Sequence, residues 1–160
     1  MECVDHKNMK TLKHEIKSLE DWQKVIKTLL PHLKYGTILA LSGPLGAGKT
    51  TFVQLLAKAL GAKVNPRSPT FSLVRNYSLL TTNYLLKRLV HVDAYRIEDE
   101  KDLLPLNLDE ELAEPGTIMA IEWPENIKKW LTHQRTPIIH IDISLQKTRR
   151  QVQISAEAGV

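Results

Sequence analysis

Apolar residues recur at spacings of three and four after Ser18: Trp22, Val25, Ile26, Leu29, Leu30 and Leu33. That period puts them on one face of a helix. Ser18 is placed to cap this helix, with Asp21 three residues on as a weaker variant of the capping box. Tyr35-Gly36 ends it. The run TILALS over 37–42 is short and mostly apolar, the pattern of a strand buried on both faces. Helical spacing returns from Lys49 to Leu60, and Gly61 is a suitable C-terminal stop.

Asn65-Pro66-Arg67-Ser68-Pro69 cannot be helical and predicts a loop. Residues 71–80 alternate as a strand does, 81–83 form a turn, and 84–93 return as a second strand. This pair predicts an antiparallel, hairpin-like element within an otherwise βα chain. Residues 97–113 are acidic and leucine-bearing, and predict helices broken at Pro105. A strand over 117–123, a short helix over 125–131 and late strands over 137–144 and 150–155 complete the pattern. No internal repeat or linker interrupts it. The expectation is a loose N-terminal tail over residues 1–10 and a single mixed α/β domain over 11–160.

Composition adds boundaries. At 160 residues, 42% hydrophobic and 25% charged, the chain can bury one core and is not wholesale disordered. Its net charge of +4 and pI near 9.2 suit a polyanionic partner without requiring one. The single cysteine, Cys3, excludes an internal disulfide framework. The first ten residues lack the apolar core of a secretory signal, and no apolar run reaches membrane-spanning length. A cytoplasmic protein without membrane association is expected.

The chemistry concentrates in GPLGAGKT, residues 43–50, which fits G-x-x-x-x-G-K-[ST] between the predicted strand and helix. The loop of Gly43, Pro44, Leu45, Gly46, Ala47 and Gly48 would wrap a phosphate, with backbone N–H groups donated by its residues other than Pro44. The helix start, with Lys49, Thr50 and Thr51, adds positive potential. Lys49 would reach the β- and γ-phosphates, and the Thr50 hydroxyl would ligate Mg²⁺. Such a site also needs a strand-end carboxylate near the metal. Three apolar runs end in one: Asp93, Glu122 and Asp142. Pattern alone does not rank them. Ser68-Pro69-Thr70 sits where a hydroxyl could sense a γ-phosphate. Arg67, Arg75 and Arg96 could bring positive charge to phosphate or to a partner.

Together GPLGAGKT, SPTFSLV at 68–74, HVDAYR at 91–96 and IEWPE at 121–125 resemble the bacterial TsaE (YjeE) family, in order and spacing, over nearly the whole chain. The resemblance implies a P-loop NTPase-like, three-layer α/β domain with a mixed central sheet. It implies a small ATPase, using ATP and Mg²⁺, that serves threonylcarbamoylation of adenosine next to the anticodon of certain tRNAs. The partners it implies are TsaD and TsaB, with tRNA reached through their complex, and the transfer itself belongs to TsaD. By the same resemblance Thr70 is the switch-like threonine and Asp93 the favoured Mg²⁺-shell acid. Glu122 is a second active-site acid near the metal or the attacking water, Trp123 lies close to the nucleotide, and Asp142 drops out. The chain departs from the family pattern at Pro44, which removes one loop N–H, at Arg75-Asn76 and at Leu103-Leu104-Pro105.

Three rivals share the P-loop. A small-molecule or nucleoside kinase would want an arginine-bearing lid, and the acidic 98–114 segment is a poor one. A GTPase would carry N-K-x-D, which is absent. A nucleotide-dependent RNA-binding module has only scattered lysines for support. No arginine finger can be assigned from sequence, so hydrolysis by the chain alone is expected to be slow.

Overall fold

A computed structural model describes residues 11–63, 72–80 and 85–157. Seven strands form one sheet: β1 (Leu12–Ile16), β2 (Ile38–Ser42), β3 (Val74–Ser78), β4 (Arg88–Asp93), β5 (Thr117–Glu122), β6 (Ile138–Gln146) and β7 (Arg149–Glu157). Their order across the sheet is β1-β7-β6-β2-β5-β4-β3. The central β6-β2-β5-β4 set is parallel, and β3, β7 and β1 add antiparallel edges. The sheet is mixed, as expected.

Helices α1 (Leu19–Leu29) and α2 (Lys49–Ala59) cover one face. Helices α3 (Leu108–Ala113) and α4 (Lys128–Thr132), with the 3₁₀ segments Glu100–Leu106 and Pro124–Ile127, cover the other. Alternation along the strands feeds both layers. Leu39, Leu41, Leu89, Ile118 and Ala120 pack toward α1 and α2. Ile38, Ala40, Val90, Met119 and Ile121 pack toward α3 and α4. That two-sided burial explains why β2 and β5 read as unbroken apolar runs.

The first helix follows its pattern with two adjustments. The Ser18 side chain accepts from the Asp21 N–H at 3.3 Å, as a cap should. The Asp21 carboxylate reaches back to the Lys17 N–H at 3.0 Å, one residue before the position of a full capping box. The helix stops at Leu29, short of the predicted end at Tyr35-Gly36, and passes into a 3₁₀ turn over Leu30–His32. Pro31 accounts for this: it has no N–H for an i−4 bond. Trp22 and Phe52 fix α1 on α2, edge to face, with ring centroids 5.7 Å apart.

Other predicted boundaries also move. β1 was absent from the expected pattern, because its alternation rests on Leu12 and Ile16 alone, with Lys13 and Glu15 exposed between them. The expected strands over 71–80 and 84–93 pair antiparallel, but shorten to Val74–Ser78 and Arg88–Asp93. Leu79 continues only as an isolated bridge to Ala62. Residue 71 and the turn at 81–83 lie outside the described residues. The acidic stretch is broken as predicted, with Pro105 inside the 3₁₀ segment and Asn107, at φ 47°, leading into α3. The expected helix over 125–131 is half 3₁₀, and the late strands extend to nine residues each as a hairpin.

Candidate functional site

The glycine-rich loop leaves the C-terminal end of β2 and enters α2, which begins at Lys49 as the sequence predicts. Gly43 has a φ of +150°, and a Cβ there would lie 2.6 Å from the Ile143 carbonyl oxygen. Only glycine lets the loop pass β6 this closely. Pro44 removes an N–H, yet its carbonyl closes the turn by accepting from the Ala47 N–H at 3.1 Å.

Lys49 is 5% exposed. Its ammonium donates to the carbonyls of Gly43 at 2.6 Å and Pro44 at 3.0 Å, and sits 3.9 Å from the Trp123 ring centroid. Burial pushes the Lys49 pKa down, while Glu122, Glu125 and Asp93 oppose that shift. The lysine is thus held inside the cleft by neutral acceptors and an aromatic face.

Register assembles the acids. In the parallel β4–β5 pair Asp93 lies opposite Glu122. Both share the parity of Leu89 and Ala120, so both belong to the sheet face covered by α2. The Thr50 hydroxyl, in the first turn of α2, lies 2.9 and 3.0 Å from the two Glu122 oxygens. His91 Nε2 lies 2.7 Å from Glu122 Oε1. Asp93 accepts from the Tyr95 N–H at 3.1 Å, and burial pushes its pKa up, with a smaller push from Glu122.

Trp123 leaves β5 at a φ of 59° and lays its ring 5.1 Å from that of Tyr95. The resulting cleft, about 360 Å³, is lined by Leu45 through Thr51, Asp93, Tyr95, Glu122, Trp123 and Arg150. A larger hollow of about 550 Å³ lies between the Glu100–Leu106 segment, α3 and α4, and none of the motif residues lines it.

The structure therefore gathers Lys49, Thr50, Thr51, Asp93, Glu122 and Trp123 into one cleft. Thr70, with Ser68 and Arg67, lies outside the described residues. Arg75 sits on β3 opposite His91, and neither it nor Arg96 is among the residues lining the cleft. Asp142 is exposed on β6 and lines a separate hollow with Ser42 and Gly43. Two neighbours were not expected. Arg150, on β7, donates to the Gly46 carbonyl at 3.2 Å, and nothing in its local sequence signals this. His91 had a signal: it is a polar residue inside the apolar run Leu89–Val92.

The donor set suits a hard cation. Thr50, Asp93 and Glu122 present only oxygens, as Mg²⁺ beside a polyphosphate requires. Among the described residues no cluster of three or more His, Cys, Asp or Glu side chains could hold a metal alone. Among them, too, no helix is long and apolar enough to cross a membrane.

Fold and site define a class: a three-layer, P-loop NTPase-like α/β domain with a mixed sheet. The crystal structure of YdiB from Bacillus subtilis superposes with a TM-score of 0.67 at 27% identity, covering 92% of this chain and 86% of that one. Residues 16–153 match the family described as "Threonylcarbamoyl adenosine biosynthesis protein TsaE". The TsaE protein of Aquifex aeolicus is 39% identical over 150 residues, 91% of this chain and 98% of its own. That of Bacillus subtilis is 36% identical over 131 residues, 82% and 78% of the two chains. The chain belongs to the TsaE family.

Proposed function

We propose that this chain binds ATP with Mg²⁺ in the P-loop cleft, hydrolyses it slowly, and so supports a TsaB–TsaD assembly in threonylcarbamoylation of tRNA adenosine next to the anticodon. Membership of a family named for threonylcarbamoyl adenosine biosynthesis supports the pathway. The observation that carries the ATP reading is the convergence of Thr50 on Glu122, beside Asp93 and beneath Lys49.

The residues divide the work. The 43–48 loop cradles the phosphates with backbone N–H groups. Lys49 exchanges the Gly43 and Pro44 carbonyls for β- and γ-phosphate oxygens. Thr50 and Asp93 hold the metal shell, and Glu122 sits where it can join that shell or orient the attacking water. Bound Mg²⁺ would supply positive charge to offset the negative charge that develops on the phosphate oxygens. Thr70 keeps the switch-like role implied by the family resemblance. Trp123 and Tyr95 wall the cleft on one side, and Arg150 closes it at Gly46.

The test is ATP turnover by the chain alone and with TsaB–TsaD, alongside formation of the modified adenosine. Turnover should rise with the partners and collapse in Lys49→Ala. Equal turnover with and without them would count against the reading.

A further inference from the structure

His91 stands out against its surroundings. It is fully buried on β4, one strand in from the sheet edge, between Ala120 on β5 and Arg75 on β3. Leu89, Val90 and Val92 around it are apolar and equally buried. Its Nδ1 finds no hydrogen-bond partner among the described residues. A buried polar atom left without a partner opposes folding. A leucine would suit the strand better, so packing does not explain the histidine.

The other ring nitrogen does. Nε2 lies 2.7 Å from Glu122 Oε1, and the Thr50 hydroxyl approaches both oxygens of the same carboxylate. An ionised carboxylate only accepts, so the ring must carry its proton on Nε2 to bond there. The Nδ1 of that tautomer is a bare lone pair, the less costly atom to leave unpartnered. Glu122 is thereby held from the side by the neighbouring strand β4 and met from above by the first turn of α2. Among the described residues, Oε2 has the Thr50 hydroxyl as its hydrogen-bond partner.

We infer that His91 is a positioning residue: its Nε2–H fixes the Glu122 carboxylate so that it meets Thr50, and through Thr50 the magnesium triphosphate. The inference rests on the proposed ATP reading. Groups that orient a metal's immediate ligands typically alter metal affinity or activity by about ten- to a hundredfold when removed.

Three measurements on the full chain test it, using the wild type, His91→Leu and His91→Gln. Long-range ¹H–¹⁵N spectra of the free wild type should show the His91 proton on Nε2; a ring protonated only on Nδ1 overturns the inference. Calorimetry should find ADP affinity without Mg²⁺ within about twofold in all three. The apparent Mg²⁺ affinity of the ADP complex should fall about ten- to a hundredfold in His91→Leu, and the glutamine N–H should recover most of it. In steady-state turnover the leucine change should lower kcat more than it raises KM. A leucine variant that matches the wild type overturns the positioning role, as does a glutamine variant no better than leucine. The tautomer and His91→Gln carry the test if the leucine variant does not fold. A wild type that binds no magnesium nucleotide removes the ATP reading and this inference together. Normal binding with an indifferent leucine variant removes the inference alone.

Discussion

Gly43→Ala isolates the close passage of the P-loop past β6. A Cβ at this position would lie 2.6 Å from the Ile143 carbonyl oxygen and 3.2 Å from both the Ala47 and Ile143 Cβ atoms. The nearest of these is backbone in a paired strand, so it cannot swing away as a side-chain tip would. Relief requires the loop or β6 to shift, at an overpacking cost of about 1–3 kcal/mol. Holding alanine at a φ of +150° adds about 1–3 kcal/mol. The sum, about 2–6 kcal/mol, corresponds to a Tm fall of about 4–24 °C in a chain of this size. Gly46→Ala is the matched control. It also has positive φ, +77°, but nothing lies within 4 Å of its added Cβ. It should pay only the backbone term, about 1–2 kcal/mol, or roughly 2–8 °C. Thermal unfolding followed by circular dichroism reads both variants directly. Gly43→Ala melting at or above Gly46→Ala would refute the reasoning, because the contact with Ile143 would then cost nothing.

Asp93→Asn should raise the Tm of the free protein at neutral pH. Burial raises the folded pKa of Asp93, so its protonated form favours folding; that contribution is present below the ordinary aspartate range and is lost as pH rises through the folded value. The advantage of asparagine should therefore shrink as pH falls through the raised folded value and be gone below about 4, and a Tm difference independent of pH would contradict this. Phe52→Ala removes a fully buried ring packed on Trp22 and should cost about 3–5 kcal/mol in denaturant unfolding; a loss under about 1 kcal/mol would mean that the α1–α2 contact collapses to fill the space. Arg150→Ala should weaken nucleotide binding by roughly tenfold in calorimetry, on the scale of one charged hydrogen bond. Its neighbour Arg149 pairs with Glu15 on β1, so Arg149→Ala should leave binding unchanged, and equal effects would deny Arg150 a place in the cleft.

The candidate acids show where sequence reasoning stops. The runs LVHVD and IIHID are nearly the same string, each apolar, interrupted by histidine and ended by aspartate. A period of two divides a strand into two faces but does not say which face meets α2. In β4 the aspartate shares its face with Leu89, which packs under α1 and α2. In β6 it shares a face with Ile138, which packs toward α3 and α4. That single difference puts Asp93 in the cleft and Asp142 outside it. It follows from where each strand enters the sheet, a property of the whole chain that no local window contains. Arg150 is illegible for the same reason, since it reaches Gly46 across 104 positions through the β6–β7 hairpin. The P-loop was legible because its parts are adjacent in sequence: a buried strand, glycines at the turns, and a helix that begins at Lys49. Long-range register then decides which of three equivalent acids that loop can use, and it brings His91 to Glu122 by the same step.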